Sequence, residues 1–171
     1  MADYPVPIPG LVIRYAYLWK READLGQIEG QKHRPCVVVL CVEEIDGERV
    51  VTVAPVTHNS PTNPDQAIAL TPATRRRLGL DEEKNWIMAT EVNSFFWPGP
   101  DLAPTPDGQY AYGELPAIVF AALTQKILAA GRNLRAADDF LRERAGSAKP
   151  KDMLKYLRRA PKVAPNADDM P

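Results

Sequence analysis

No run in this 171-residue chain approaches the ~18 consecutive apolar residues of a membrane-spanning helix. The first residues, Met-Ala-Asp-Tyr-Pro-Val-Pro, hold no basic segment followed by an apolar one, so no secretion signal is read there and a cytoplasmic location is expected. The formal net charge is only −1, which excludes a global field for gathering nucleic acid; any such binding needs a local basic patch. There are two cysteines and two histidines. Cys36 and Cys41 share one apolar run, and on a regular strand their spacing sets them on opposite faces, about 16 Å apart. They are expected to be unbridged thiols, and with only His33 nearby they hold no metal. Phosphate-binding glycine loops, H-E-x-x-H, C-x-x-C and G-x-S-x-G are all absent, which leaves nucleotide cofactors, zinc hydrolysis and serine-triad chemistry without support.

Proline is plentiful, with 17 residues. It lacks an N–H and fits poorly inside strands. Its clusters at 5–9, 61–72, 98–106 and from 150 onward therefore mark an N-terminal arm, two loops and a tail. Between them the chain reads as mainly β with some α. Residues 10–19, rich in β-branched and aromatic types, predict a first strand. Residues 20–33 read as a long polar loop. Residues 34–43 are apolar on both faces and predict a central covered strand. Asp46-Gly47 suits a type I′ turn, which returns 48–56 as the partner strand. Folding the hairpin there brings Arg34 and Thr57 to the same end, within a couple of residues of facing each other.

Residues 58–65 then form a polar loop and 66–70 a short strand. Thr71-Pro72 predicts a helix start, with Gly79 as its stop. Residues 85–92 predict one further strand and 94–113 an irregular loop. Helical spacing of Ile118, Val119, Ala122, Leu123, Ile127 and Leu128 predicts a helix over 115–131. A second helix is expected over 134–145, and a short one around Asp152–Arg159. The division is thus an arm (1–9), a folded domain (10–133) and a C-terminal helical or flexible extension (134–171).

The candidate chemistry gathers at the hairpin end. Arg34 is pinned by Pro35 and the strand behind it, and a fixed guanidinium fork suits a phosphate. Thr57 can donate a hydroxyl hydrogen, and His58 can move protons near neutrality. Taken alone, Arg34 reads more readily as a solvated arginine ending a strand, Thr57 as a strand-end residue and His58 as a polar loop residue. Arg75-Arg76-Arg77 and the basic stretch 149–162 read as solvated surface. Phe95-Phe96-Trp97-Pro98 can stack on bases, cover the fold or meet a partner.

Several of these segments, in order, resemble the MazF/PemK/Kid family of toxins. They are Pro9-Gly10-Leu11-Val12, Gly30-Gln31-Lys32-His33-Arg34-Pro35 leading into Cys36-Val37-Val38-Val39, then Val53-Ala54-Pro55-Val56-Thr57, the 86–92 segment and the helix from Leu115. The resemblance spans roughly residues 9–131. It implies a small SH3-like barrel, a homodimer, and neutralisation by a cognate antitoxin protein. It also implies endoribonuclease action on single-stranded RNA, such as mRNA, without metal or cofactor. In that scheme the 2′-OH attacks the adjacent phosphorus, Arg34 stabilises the charged phosphorane and Thr57 holds a phosphate oxygen. The general base is His58, His33 or Glu91, while Lys32, His33, Asn59 and Ser60 would contact RNA. The chain departs from the family where an arginine usually follows the later strand: here the sequence reads Glu91-Val92-Asn93-Ser94-Phe95-Phe96-Trp97. Two alternatives stay open, a gyrase-poison-like toxin of the same fold and a catalytically inactive RNA- or protein-binding module.

Overall fold

The computed structural model describes residues 2–27, 30–43, 48–130 and 135–136. Along the chain run β1 (Leu11–Ala16), α1 (Lys20–Asp24), β2 (His33–Glu43), β3 (Arg49–Thr57), β4 (Ala67–Ala69), α2 (Pro72–Arg77), β5 (Trp86–Met88), β6 (Glu91–Phe96), β7 (Leu102–Ala103), β8 (Ala111–Glu114), α3 (Ala117–Ala129) and β9 (Arg135–Ala136). The mainly β class with helices is thus what the chain adopts.

β2 is the centre, antiparallel to β1 on one side and β3 on the other. The outer edge of β3 is divided: residues 50–53 pair with β6, and Val56–Thr57 pair with β5, which carries β4. The outer edge of β1 is likewise shared between β8 and β7. The short β9 joins in parallel, beside β6.

The double-sided apolar pattern of the central strands is explained by two cores. Val12, Val37, Ala54 and Val56 face Leu70, Leu78 and the Leu123–Ile127 stripe of α3. Their alternating neighbours Ile13, Cys36, Val38, Val51 and Val53 face Tyr15, Tyr17, Phe95 and Leu102. Burial of each such side chain contributes about 1.5–3 kcal/mol, and this is the main reason the sheet holds its order.

A second device joins the sheet's flanks. Beyond β1, the Leu18 N–H donates to Asn93 Oδ1 at 2.9 Å, and Asn93 Nδ2 donates back to the Leu18 carbonyl at 2.8 Å. One buried carboxamide on β6 thereby supplies the paired donor and acceptor of a missing ladder rung.

Several expectations need correction. Cys36 and Cys41 pack on the same core, not on opposite faces. The register shifts between Val38 and Leu40, and the extra residue of that bulge reverses the alternation. Neither cysteine is in a disulfide. The 20–33 segment holds α1, started by the Glu22 carboxylate on the Trp19 N–H and ended at Gly26 with φ +89°. Residues 85–92 are two strands: β5 pairs with β4, a pairing that the Ala89 N–H extends by donating to the Gln66 carbonyl, and β6 starts at Glu91 to pair further along β3. Residues 94–113 include the end of β6, β7 and β8; Phe95 is core and stacks on Tyr15 at 4.5 Å.

Other expectations agree. Thr71 Oγ1 accepts from the Thr74 N–H, Pro72 opens α2, and Gly79 follows it at φ +63°. Pro116 caps α3. Arg135–Ala136 are strand where a helix was expected. The Asp46-Gly47 turn, Gly131, the rest of 134–145, Asp152–Arg159 and the basic stretch 149–162 lie outside the described residues.

Candidate functional site

The β2–β3 ladder fixes the site. Cys36 faces Pro55. Carried two residues further, the same register sets Arg34 opposite Thr57, and facing residues of an antiparallel pair point to the same side. Arg34 is half-buried and lies across from Tyr15 of β1. Its guanidinium carbon sits 4.9 Å from the centre of the Trp19 ring. Its Nε is fully buried and meets no partner among the described residues. The ring restrains the guanidinium by a cation–π contact, while the orphaned Nε–H is a donor with free energy to gain from an anionic oxygen.

Thr57 is buried at the end of β3. Its Oγ1 accepts from the Asn59 N–H at 3.1 Å, closing a local turn and leaving the hydroxyl hydrogen directed elsewhere. Two clefts meet at this point. The larger, about 700 Å³, is lined by Lys32, His33, Arg34, Thr57, His58 and Asn59 from the two strand ends. Leu80, Asp81, Asn85 and Tyr112 form its opposite wall. The smaller, about 310 Å³, is lined by Trp19, Lys20, Arg21, Thr57, Ser60 and Glu91, among others. Thr57 and Asn59 belong to both and form the saddle between them.

The eight residues singled out from the sequence are therefore gathered around one saddle but divided between its sides. Glu91 lines the smaller cleft, and its Oε1 accepts from Tyr17 Oη at 3.3 Å and from the Lys20 N–H at 3.1 Å. His58, about half exposed, is held on the larger cleft's wall. Its Nε2 lies 3.0 Å from Asp81 Oδ2, and its Nδ1 lies 3.6 Å from Glu83 Oε2. Partial burial pushes the Asp81 carboxyl up, but hydrogen bonds from Asn85 and His58 outweigh this and hold it below its ordinary range.

Trp19, Asp81 and Asn85 were not anticipated. Trp19 closes the aromatic run of the first strand and carried no mark of its partner Arg34. Asp81 lies in an ordinary acidic stretch, Asp81-Glu82-Glu83, whose contact with His58 depends on how α2 returns the chain. Of the arginine run, Arg75 reaches back to the Leu70 carbonyl while Arg76 and Arg77 are exposed. At the place of the expected second arginine, Asn93 and Ser94 are buried; Ser94 is hydrogen-bonded to Thr52 at 2.8 Å. No described helix is long and apolar enough to cross a membrane. No protein-family model and no curated protein matches the chain.

Proposed function

We propose that this chain is a small SH3-like barrel that cleaves single-stranded RNA, as the toxin of a cytoplasmic toxin–antitoxin pair. The observation that carries the reading is the facing of Arg34 and Thr57 in one cleft, with a buried, unpartnered Arg34 Nε. Phosphoryl transfer needs donors fixed where negative charge grows. The RNA 2′-oxygen attacks the neighbouring phosphorus, the bond from phosphorus to the 5′-oxygen breaks, and a cyclic phosphate and a 5′-hydroxyl result. The Arg34 guanidinium meets the phosphorane oxygens, and the Thr57 hydroxyl donates to one of them. Each well-placed donor supplies roughly 3–4 kcal/mol of transition-state stabilisation.

A single strand suits the saddle, since nucleotides on either side of the cleaved bond can lie in the two clefts. Lys32 and His33 lie with Arg34 in the larger cleft, Ser60 lies in the smaller, and Asn59 borders both. In this reading the partners are mRNA, a cognate antitoxin protein and a second copy of the chain, and the reaction uses no metal or cofactor. The test is incubation with varied single-stranded RNAs in EDTA. Fragments ending in cyclic phosphate, lost in Arg34→Ala, are expected; a folded protein that leaves every RNA intact overturns the proposal.

A second reading, an RNA- or protein-binding module without catalysis, is favoured by one observation. Asn93 and Ser94, at the expected arginine's place, are committed to structure. RNA binding without cleavage in the same assay selects it. A gyrase-poison-like toxin is selected instead by gyrase inhibition that survives Arg34→Ala.

A further inference from the structure

We infer that His58 is the general base of this site and that Asp81, steadied by Asn85, is its positioning residue. The inference rests on the ribonuclease reading and assigns a proton path that the reading leaves open among His58, His33 and Glu91.

Three observations separate the candidates. Glu91 lies on the smaller cleft, and its Oε1 is already occupied by the Tyr17 hydroxyl and the Lys20 N–H. His33 shares the larger cleft, but among the described residues no hydrogen bond to its ring selects a tautomer or an angle. His58 follows Thr57 directly and lines the same cleft as Arg34. It is also oriented: Asp81 Oδ1 and Oδ2 lie 3.2 and 3.0 Å from Nε2.

Asp81 is in turn held. The buried Asn85 donates through Nδ2 to Asp81 Oδ1 at 3.2 Å and to the Glu83 carbonyl at 3.0 Å. The Leu70 N–H fixes the backbone carbonyl of Asn85 at 2.9 Å. The chain of contacts therefore runs from the fold's interior through Asn85 and Asp81 to the imidazole. A base held by an orienting carboxylate is the recurring logic of activated oxygen nucleophiles.

The geometry also sets the tautomer. With a carboxylate at Nε2, that nitrogen carries the hydrogen and donates it, so Nδ1 bears the lone pair. Glu83 Oε2 is 3.6 Å from Nδ1, beyond hydrogen-bond length, and its side chain is 74% exposed, so it can swing into solvent as substrate approaches the lone pair. In the reaction Nδ1 takes the proton of the 2′-hydroxyl as the oxygen–phosphorus bond forms. Asp81 stays ionised and stabilises the resulting imidazolium. The departing 5′-oxygen takes a proton from the imidazolium or from water. Arg34 and Lys32, facing from the end of β2, offset the acidic wall on which His58 rests.

The test is a double-mutant cycle on RNA cleavage by the full chain in EDTA, with wild type and Arg34→Ala in parallel. His58→Ala is expected to lose on the order of 10²–10⁴-fold in kcat. Asp81→Asn is expected to lose roughly ten- to a hundred-fold in kcat, with KM little changed, and Asp81→Glu to recover part of it. In the His58→Ala background, Asp81→Asn is expected to cost nothing further. An undiminished rate in His58→Ala, or an equal Asp81→Asn loss with and without the imidazole, overturns the assignment while leaving the ribonuclease reading intact. A folded wild type that does not cleave removes both. Nitrogen NMR of the free protein provides a readout besides activity: the Nε2–H tautomer of His58 is expected, and the Nδ1–H tautomer refutes the positioning by Asp81.

Discussion

Replacing Asn93 by alanine tests how one side chain holds the flank of the sheet beside the candidate site. Asn93 is 3% exposed and makes two hydrogen bonds, at 2.9 and 2.8 Å, to the N–H and carbonyl of Leu18. Each such bond contributes about 1 kcal/mol net, and orphaning its half-buried partner raises the cost. With the small void added, Asn93→Ala is expected to destabilise the fold by roughly 2–4 kcal/mol, a large share of a typical 5–15 kcal/mol. Urea unfolding at neutral pH, followed by far-ultraviolet circular dichroism, measures this as a lower midpoint at unchanged slope. Asn93→Asp is an internal control. A carboxylate can accept from Leu18 but cannot donate, and burial penalises its charge, so its folded pKa is raised. The protonated acid, by contrast, mimics the amide. Its contribution is therefore present at acid pH and lost as pH rises through the folded value, so the Asp variant's deficit against wild type shrinks on acidification. An Asn93→Ala cost below about 0.5 kcal/mol, or an Asp deficit that does not depend on pH, refutes the idea that this rung matters.

Gly30→Ala drives a Cβ into the Ala16 carbonyl oxygen, a backbone atom that cannot yield cheaply, and is expected to cost about 2 kcal/mol or more in thermal or urea unfolding. Trp19→Ala removes the ring beneath Arg34, and a loss of about 1 kcal/mol of restraint predicts roughly three- to ten-fold slower RNA cleavage, measured against Arg34→Ala as the floor. Burial pushes the Tyr15 and Tyr17 phenols and the Cys36 thiol up. These groups favour the folded state fully below their unfolded values of about 10 and 8.5, and the unfolded chain alone ionises above them. Stability is therefore expected to fall by about 1.4 kcal/mol per pH unit for each group, a decline that urea midpoints between pH 8 and 11 can follow. Cys36→Ala is expected to flatten its earliest part.

The hairpin was legible because two signals agreed: an apolar run covered on both faces, and a turn pair whose arithmetic brought Arg34 to Thr57. The helix after Pro116 was legible for the same reason, since its cap and its Leu123–Ile127 spacing pointed one way. What escaped was set by tertiary context. The bulge near Val39 leaves no mark in a row of valines, so the Cys41 face was misread. Phe95 and Phe96 looked like loop because prolines follow them closely, yet the strand ends only at Phe96. The partners of the site were hidden for a related reason. Trp19, Asp81 and Asn85 reach it from distant segments, and no local period foretells a cation over a ring or a carboxylate against an imidazole.

A sheet buried on both faces also constrains how this protein can change. Within β3, every residue after Arg49 is buried, and in β2 the run from Cys36 to Leu40 is buried without a gap. Alternate positions that most sheets leave free for polar variation are here committed to one core or the other. Substitutions there can exchange one apolar shape for another, but a charge can enter cheaply only at the strand tips. The tips are where Lys32, His33, Arg34 and His58 already stand. The architecture thus separates two kinds of variation: the interior drifts in volume, while new recognition chemistry can be written at the rim without disturbing what supports it.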